Sequence, residues 1–145
     1  MMQAEEIIEN FKQLYNTLNR DTVAIDLLKQ VYADDIQFED CFHNIKGIGP
    51  LFEYFDNLYE NVDLIDFDFE HDWLKEDSCM LTWTMSYQHP KLNSGNLIAV
   101  KGASRLEFKQ GKVISHRDYF DGGALLYEHI PLLKRVIFFL KNRLA

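Results

Sequence analysis

The stretch Tyr32-Ala33-Asp34-Asp35-Ile36-Gln37-Phe38-Glu39-Asp40 decides how this chain is read. Ile36, Phe38 and Asp40 share one parity of a strand; Gln37 and Glu39 share the other. Successive strand side chains point to opposite faces. A carboxylate therefore falls on the apolar face, where a charge is costly unless something uses or satisfies it. Two roles fit Asp40. In a cleft it is a candidate general base. Just past the strand end it is a turn or cap residue, a position Asp favours.

Helical patterns lie on either side of this strand. Ala4, Ile7, Ile8, Phe11, Leu14, Tyr15 and Leu18 recur at helical spacing, which predicts a helix over 4–18 with Tyr15 on its buried face. A buried phenol needs a hydrogen-bond partner. Asp21 or Thr22 can cap a second helix through Tyr32, with Ala24, Leu27, Leu28 and Val31 inward. Gly47-Ile48-Gly49-Pro50 breaks the chain, and Pro50 suits the first turn of a third helix. That helix runs to about Tyr59 with Leu51, Phe52, Phe55 and Leu58 on one side.

Strand patterns follow. Over 62–73, Ile65, Phe67, Phe69, His71 and Trp73 alternate with Asp66, Asp68, Glu70 and Asp72. A strand over 78–88 follows the Lys75-Glu76-Asp77 turn, and 89–95 is a loop. Ile98, Val100, Gly102, Ser104, Leu106 and Phe108 share one face of a strand over 96–109. After the Lys109-Gln110-Gly111-Lys112 turn, a last strand over 113–121 puts Ile114, His116, Asp118 and Phe120 on one parity. Helices followed by strands make an α+β domain. A chain of 145 residues fits one such domain, residues 1–145, ending in an amphipathic basic helix over 131–145.

Composition narrows the function classes. Net charge is −8, but 131–145 carries +4 and the remainder −12. An acidic body repels a phosphate backbone, so nucleic acid is not an expected partner. No apolar run reaches the roughly 18 residues of a membrane span, and the acidic Met1–Glu6 start has no signal-peptide core. The expected location is the cytoplasm. Cys41 and Cys79 imply no disulfide framework. There is no His-x-His, no His-Glu-x-x-His, no close Cys pair, no phosphate loop and no dinucleotide motif, so neither metal nor cofactor is expected.

Tyr32-Ala33-Asp34-Asp35, followed by Glu39-Asp40 at the strand end, resembles the steroid delta-isomerase branch of the nuclear-transport-factor-2-like superfamily, which also holds SnoaL-like polyketide cyclases. The resemblance implies a cone-shaped α+β barrel, with N-terminal helices packed in a strongly curved mixed or antiparallel sheet. It implies that Asp40 is the catalytic base and that Tyr15 donates to a substrate oxyanion. A second oxyanion donor, a protonated Asp in the isomerases, is replaced here by Ser104. His116-Arg117-Asp118-Tyr119-Phe120-Asp121 resembles a segment of limonene epoxide hydrolases, where Asp118 matches a catalytic Asp. The Arg-x-Asp partner of that site is missing from Ser78–Tyr87, so the likeness carries Asp118 and not epoxide hydrolysis. SnoaL-like cyclases also place a catalytic Asp on a late strand.

Six polar residues have inward parity: Tyr15, Asp40, His71, Ser104, His116 and Asp118. His116 and Asp118 on one strand face can form an imidazole–carboxylate pair. The catalytic candidates are Asp40, Tyr15, Asp118 and His116; the candidate ligand contacts are Ser104, His71, Trp83 and Phe55. The expected function is cofactor-free proton abstraction from an apolar carbonyl compound by an isomerase or cyclase. The rival is a non-catalytic ligand-binding or interaction domain with an apolar cavity. An exposed sheet bearing Trp83, Tyr87 and Leu97 needs cover, which predicts a homodimer through the sheet. The C-terminal stripe of Leu133, Val136, Ile137, Leu140 and Leu144 is expected to pack as a lid or dimer arm, in preference to docking on a membrane.

Overall fold

The computed structural model describes residues 3–144. Three helices, α1 (Ala4–Thr17), α2 (Ile25–Val31) and α3 (Ile48–Asn61), pack against one sheet. Its strands are β1 (Tyr32–Glu39), β2 (Asn44–Lys46), β3 (Leu64–Lys75), β4 (Ser78–Gln88), β5 (Ile98–Lys109) and β6 (Lys112–Phe120). The order across the sheet is β2-β1-β6-β5-β4-β3. Among the described residues, the β1/β6 pair is parallel and the other pairs are antiparallel. Register shifts in β1, β3 and at the β5/β6 pair mark bulges, which bend a sheet and increase its twist. The result is the cone-shaped α+β fold.

α1 buries Ile7, Ile8, Phe11, Leu14 and Tyr15, the face its spacing predicts. Glu5 and Glu6 sit at its positive N-terminal end. Inside the cone, rings from α1 and α3 meet rings from the sheet: Phe11 against Phe69, Tyr15 against Phe55 and Phe67, Phe67 against Trp83. Two grooves of about 760 and 680 Å³ lie outside this filled interior.

Several local expectations need correction. α2 starts at Ile25 rather than after Asp21 or Thr22. Asn19 Oδ1 accepts the N–H groups of Asp21 and Thr22, and Thr22 Oγ1 donates to the Thr17 carbonyl, so these residues form a turn closing α1. His71 has inward parity by count but is exposed, because the bulge between Phe69 and Asp72 flips the alternation. Trp73, in the same half of β3, is 60% exposed. Trp83 and Tyr87 point inward and are buried, so they are not an apolar outer face. The outer face of β4 carries Thr82, Thr84 and Ser86 instead, facing Ala103, Lys101 and Ala99 of β5. Of the three residues expected to need cover, Leu97 is the one left on the surface, 51% exposed.

After β6 the chain turns through α4 (Gly122–Leu125), capped by Asp121 Oδ1 accepting from Gly123 and Ala124. A 3₁₀ turn, Tyr127–His129, leads to α5 (Pro131–Leu144). No described residue of α5 is buried. It packs on that turn and lines a groove opposite the 90–99 loop, so its apolar stripe is not packed as a lid on the cone.

Candidate active site

The sheet brings β5 and β6 together so that Ser104 is directly opposite Asp118, and Leu106 opposite His116. Parallel pairing with β1 sets Phe38 beside His116. From these register positions a line of hydrogen bonds crosses the interior. Tyr15 and Tyr32 hydroxyls lie 2.7 Å apart. Tyr32 Oη lies 2.8 Å from His116 Nδ1. His116 Nε2 lies 2.6 Å from Asp118 Oδ1. On the other side, Trp83 Nε1 donates to Ser104 Oγ at 2.9 Å, and Ser104 donates to the same Asp118 Oδ1 at 2.5 Å.

Donor and acceptor capacities fix the direction of the Trp83–Ser104–Asp118 arm. An indole N–H only donates, and an ionised carboxylate only accepts. Ser104 must therefore accept from Trp83 and donate to Asp118. With Asp118 ionised, His116 must carry its proton on Nε2. In the neutral ring Nδ1 then accepts from Tyr32, whose oxygen accepts from Tyr15. Two donor arms thus converge on one oxygen, leaving Oδ2 as the oxygen of Asp118 without a hydrogen bond among the described residues. The His116 side chain is 1% exposed and that of Asp118 is 19% exposed, so the network opens to solvent at the carboxylate. Burial drives the Tyr15 phenol well above its ordinary pKa, with Tyr32 and Asp118 adding to the effect; burial does the same to Tyr32.

The Trp83 arm depends on Gly102. Trp83 and Gly102 are paired across β4 and β5, and a Cβ at Gly102 would fall 2.3 Å from the indole. The absent side chain lets the ring lie across β5 and reach Ser104.

Asp40 stands past the end of β1, buried but outside that line. Its Oδ1 accepts from the Phe42 and His43 N–H groups at 2.8 and 2.7 Å and lies 3.1 Å from His43 Nδ1. This is the turn-forming geometry Asp favours. Tyr54 of α3 donates to Asp40 Oδ2 at 3.4 Å. Burial raises the Tyr54 pKa first, then Asp40, then Asp118, so both carboxylates act on one phenol. The Phe38 ring bridges the two halves, 5.8 Å from Tyr54 and 4.9 Å from His116.

The structure therefore joins Tyr15, Ser104, His116, Asp118 and Trp83 of the sequence candidates. Phe55 packs beneath Tyr15 and Tyr54, Asp40 occupies the neighbouring turn, and His71 is on the outside. Tyr32 and Tyr54 were missed. Tyr32 reads as the last residue of a helix, and Tyr54, three residues after Leu51 and four before Leu58, reads as one more ring on the apolar side of α3; neither spacing carries a signal of the bond it makes. Among the described residues, no group of three or more His, Cys, Asp or Glu is placed to hold a metal ion.

Comparison with solved structures agrees with this architecture. A protein assigned as a SnoaL-like polyketide cyclase from Jannaschia sp. superposes with a TM-score of 0.75 at 14% identity, over 90% of this chain and 96% of that one. A protein with a ketosteroid isomerase-like fold from Catenulispora acidiphila, solved with trimethylamine, gives 0.73 at 13% identity, over 88% and 94%. A protein assigned as an isomerase from Rhodopseudomonas palustris gives 0.72 at 18% identity, over 87% and 97%. At these identities the likeness establishes the fold alone. No curated protein matches the sequence. The SnoaL-like domain family model matches residues 11–116, from the α1 core residue Phe11 to His116 of the buried line, and the chain belongs to the SnoaL-like domain family.

Proposed function

We propose that this protein is a small-molecule enzyme of the isomerase or cyclase type, removing a proton beside the carbonyl of an apolar compound without a cofactor. The observation that supports this reading is the convergence of two buried donor arms on one oxygen of a partly exposed carboxylate, Asp118. His116 and Ser104 hold the carboxyl plane through Oδ1. Oδ2 is the base and takes the proton from carbon. Tyr54, kept protonated by burial and by two carboxylates, turns its one O–H from the long 3.4 Å bond to Asp40 toward the developing enolate oxygen. Asp40 positions Tyr54 and fixes the 40–43 turn. Tyr15 acts at the inner end of one arm, through Tyr32. The names of the structural neighbours, a cyclase and an isomerase among them, are consistent with this chemistry.

The test is deuterium uptake from D₂O at the carbon beside the carbonyl, followed by NMR, for a panel of cyclic enones and aryl β-keto esters. Wild-type protein should accelerate exchange in at least one member. Asp118→Asn should lose about 10²–10⁴-fold of that rate, the usual worth of a positioned base, with its melting temperature nearly kept. If the panel binds, by tryptophan quenching, yet exchanges at the buffer rate, the protein is a ligand-binding domain and the enzymatic reading fails.

A further inference from the structure

α5 is attached by one side and leaves an apolar side in water. Lys134 and Phe138 line the 760 Å³ groove against the 90–99 loop. Lys141 pairs with Glu128 at 3.3 Å, and Ile137 is the one partly covered residue of the helix. Residues three, four and seven apart share a helix face. By that spacing Leu132, Val136, Phe139 and Leu140 form the side turned away from the body, and they are 74, 47, 59 and 52% exposed. Contiguous apolar patches of this kind mark contact surfaces.

The charge around the stripe selects the occupant. Arg135 flanks it and Arg143 closes its C-terminal end on the same face, with the Arg143 guanidinium 5.8 Å from the Phe139 ring centroid. Residues 130–145 contain no acid. Two copies meeting by this stripe would bring their arginines together with nothing on the helix to neutralise them, which is destabilising. An anionic surface meets both requirements. Fourteen residues make a helix of about 21 Å, and no helix among the described residues is long and apolar enough to cross a membrane. Such a helix lies in the interface with its apolar side down. The acidic body opposes approach, but its field is screened beyond about 8 Å at physiological salt, and α5 touches the body along one side only.

We propose that α5 is a membrane-surface anchor. It places Leu132, Val136, Phe139 and Leu140 at the acyl boundary of an anionic bilayer, with Arg135 and Arg143 on headgroup phosphates.

The test is co-sedimentation of the full chain with vesicles of phosphatidylcholine, alone or mixed with phosphatidylglycerol, at low and high salt. The wild type should bind the mixed vesicles, release them as salt rises, and leave neutral vesicles largely unbound. Arg135→Gln with Arg143→Gln should weaken partition by about thirtyfold, from roughly 1 kcal/mol per basic residue at an anionic surface. Phe139→Glu with Leu140→Glu should abolish binding without lowering the melting temperature, because both positions are exposed. Three results overturn the proposal: no binding to anionic vesicles at low salt, equal binding to neutral ones, or unchanged binding of the Phe139→Glu, Leu140→Glu variant. If that variant instead converts a wild-type dimer into a monomer and no vesicle is bound, the stripe is a contact between copies.

Discussion

Tyr32 and His116, 84 residues apart in sequence, are joined by a 2.8 Å hydrogen bond, and their rings lie nearly parallel at 12° with centroids 5.9 Å apart. The bond connects the end of α2 to the middle of β6. It also makes Tyr32 the one group that serves both Tyr15 and His116.

Tyr32→Phe removes the shared hydroxyl and leaves Tyr15 and His116 Nδ1 without their partner in the buried interior. A buried polar group stripped of its hydrogen bond costs about 1–3 kcal/mol. Urea denaturation should show a loss in that range with an unchanged m-value. Tyr15→Phe removes an end rather than the middle of the arm and should cost less.

Gly102→Ala places a methyl group inside the indole of Trp83. Overpacking of this kind costs about 1–3 kcal/mol, and the ring must move away from Ser104. Trp73 and Trp83 are the chain's two tryptophans. In a Trp73→Phe background, emission from Trp83 should therefore shift to the red on substitution, together with a lower melting temperature.

Asp40→Ala removes the acceptor for two backbone N–H groups of the 40–43 turn. The expected loss is about 0.5–2 kcal/mol, the range measured for removing a capping acceptor. Asp40→Asn keeps an oxygen in place and should lose little stability. Thermal unfolding of the two variants separates a turn-forming Asp40 from one whose charge is required for turnover alone.

Burial raises the pKa values of Tyr15, Tyr32, Tyr54 and Tyr59 in the folded protein. The folded state then holds protons that the unfolded chain releases near the ordinary tyrosine value of about 10. The stabilisation is complete below that pH and is lost as pH rises toward the folded values. The melting temperature should be flat from neutral pH to about pH 9 and fall steeply above about pH 10. Tyr59, for which burial is the sole cause, gives the simplest check: Tyr59→Phe should make that fall shallower.

The helices and strands are legible in the sequence wherever one face is apolar. Ile7, Ile8, Phe11, Leu14 and Tyr15 mark α1, and the alternation through Phe69 marks the first half of β3, because burial of one face imposes a period. The inward parity that Ser104, His116 and Asp118 share is legible there too. The rest came from contacts between distant parts of the chain. A bulge after Phe69 turned His71 outward, and no periodicity announces a bulge. Tyr32 and Tyr54 acquired their roles from residues brought near by the sheet and the helices, which local spacing does not encode. Asp40 and Asp118 looked equivalent as inward carboxylates. Asp40 became the acceptor of its own turn, while Asp118 received two side-chain donors, because strand ends free backbone N–H groups and strand middles pair them with the neighbouring strand.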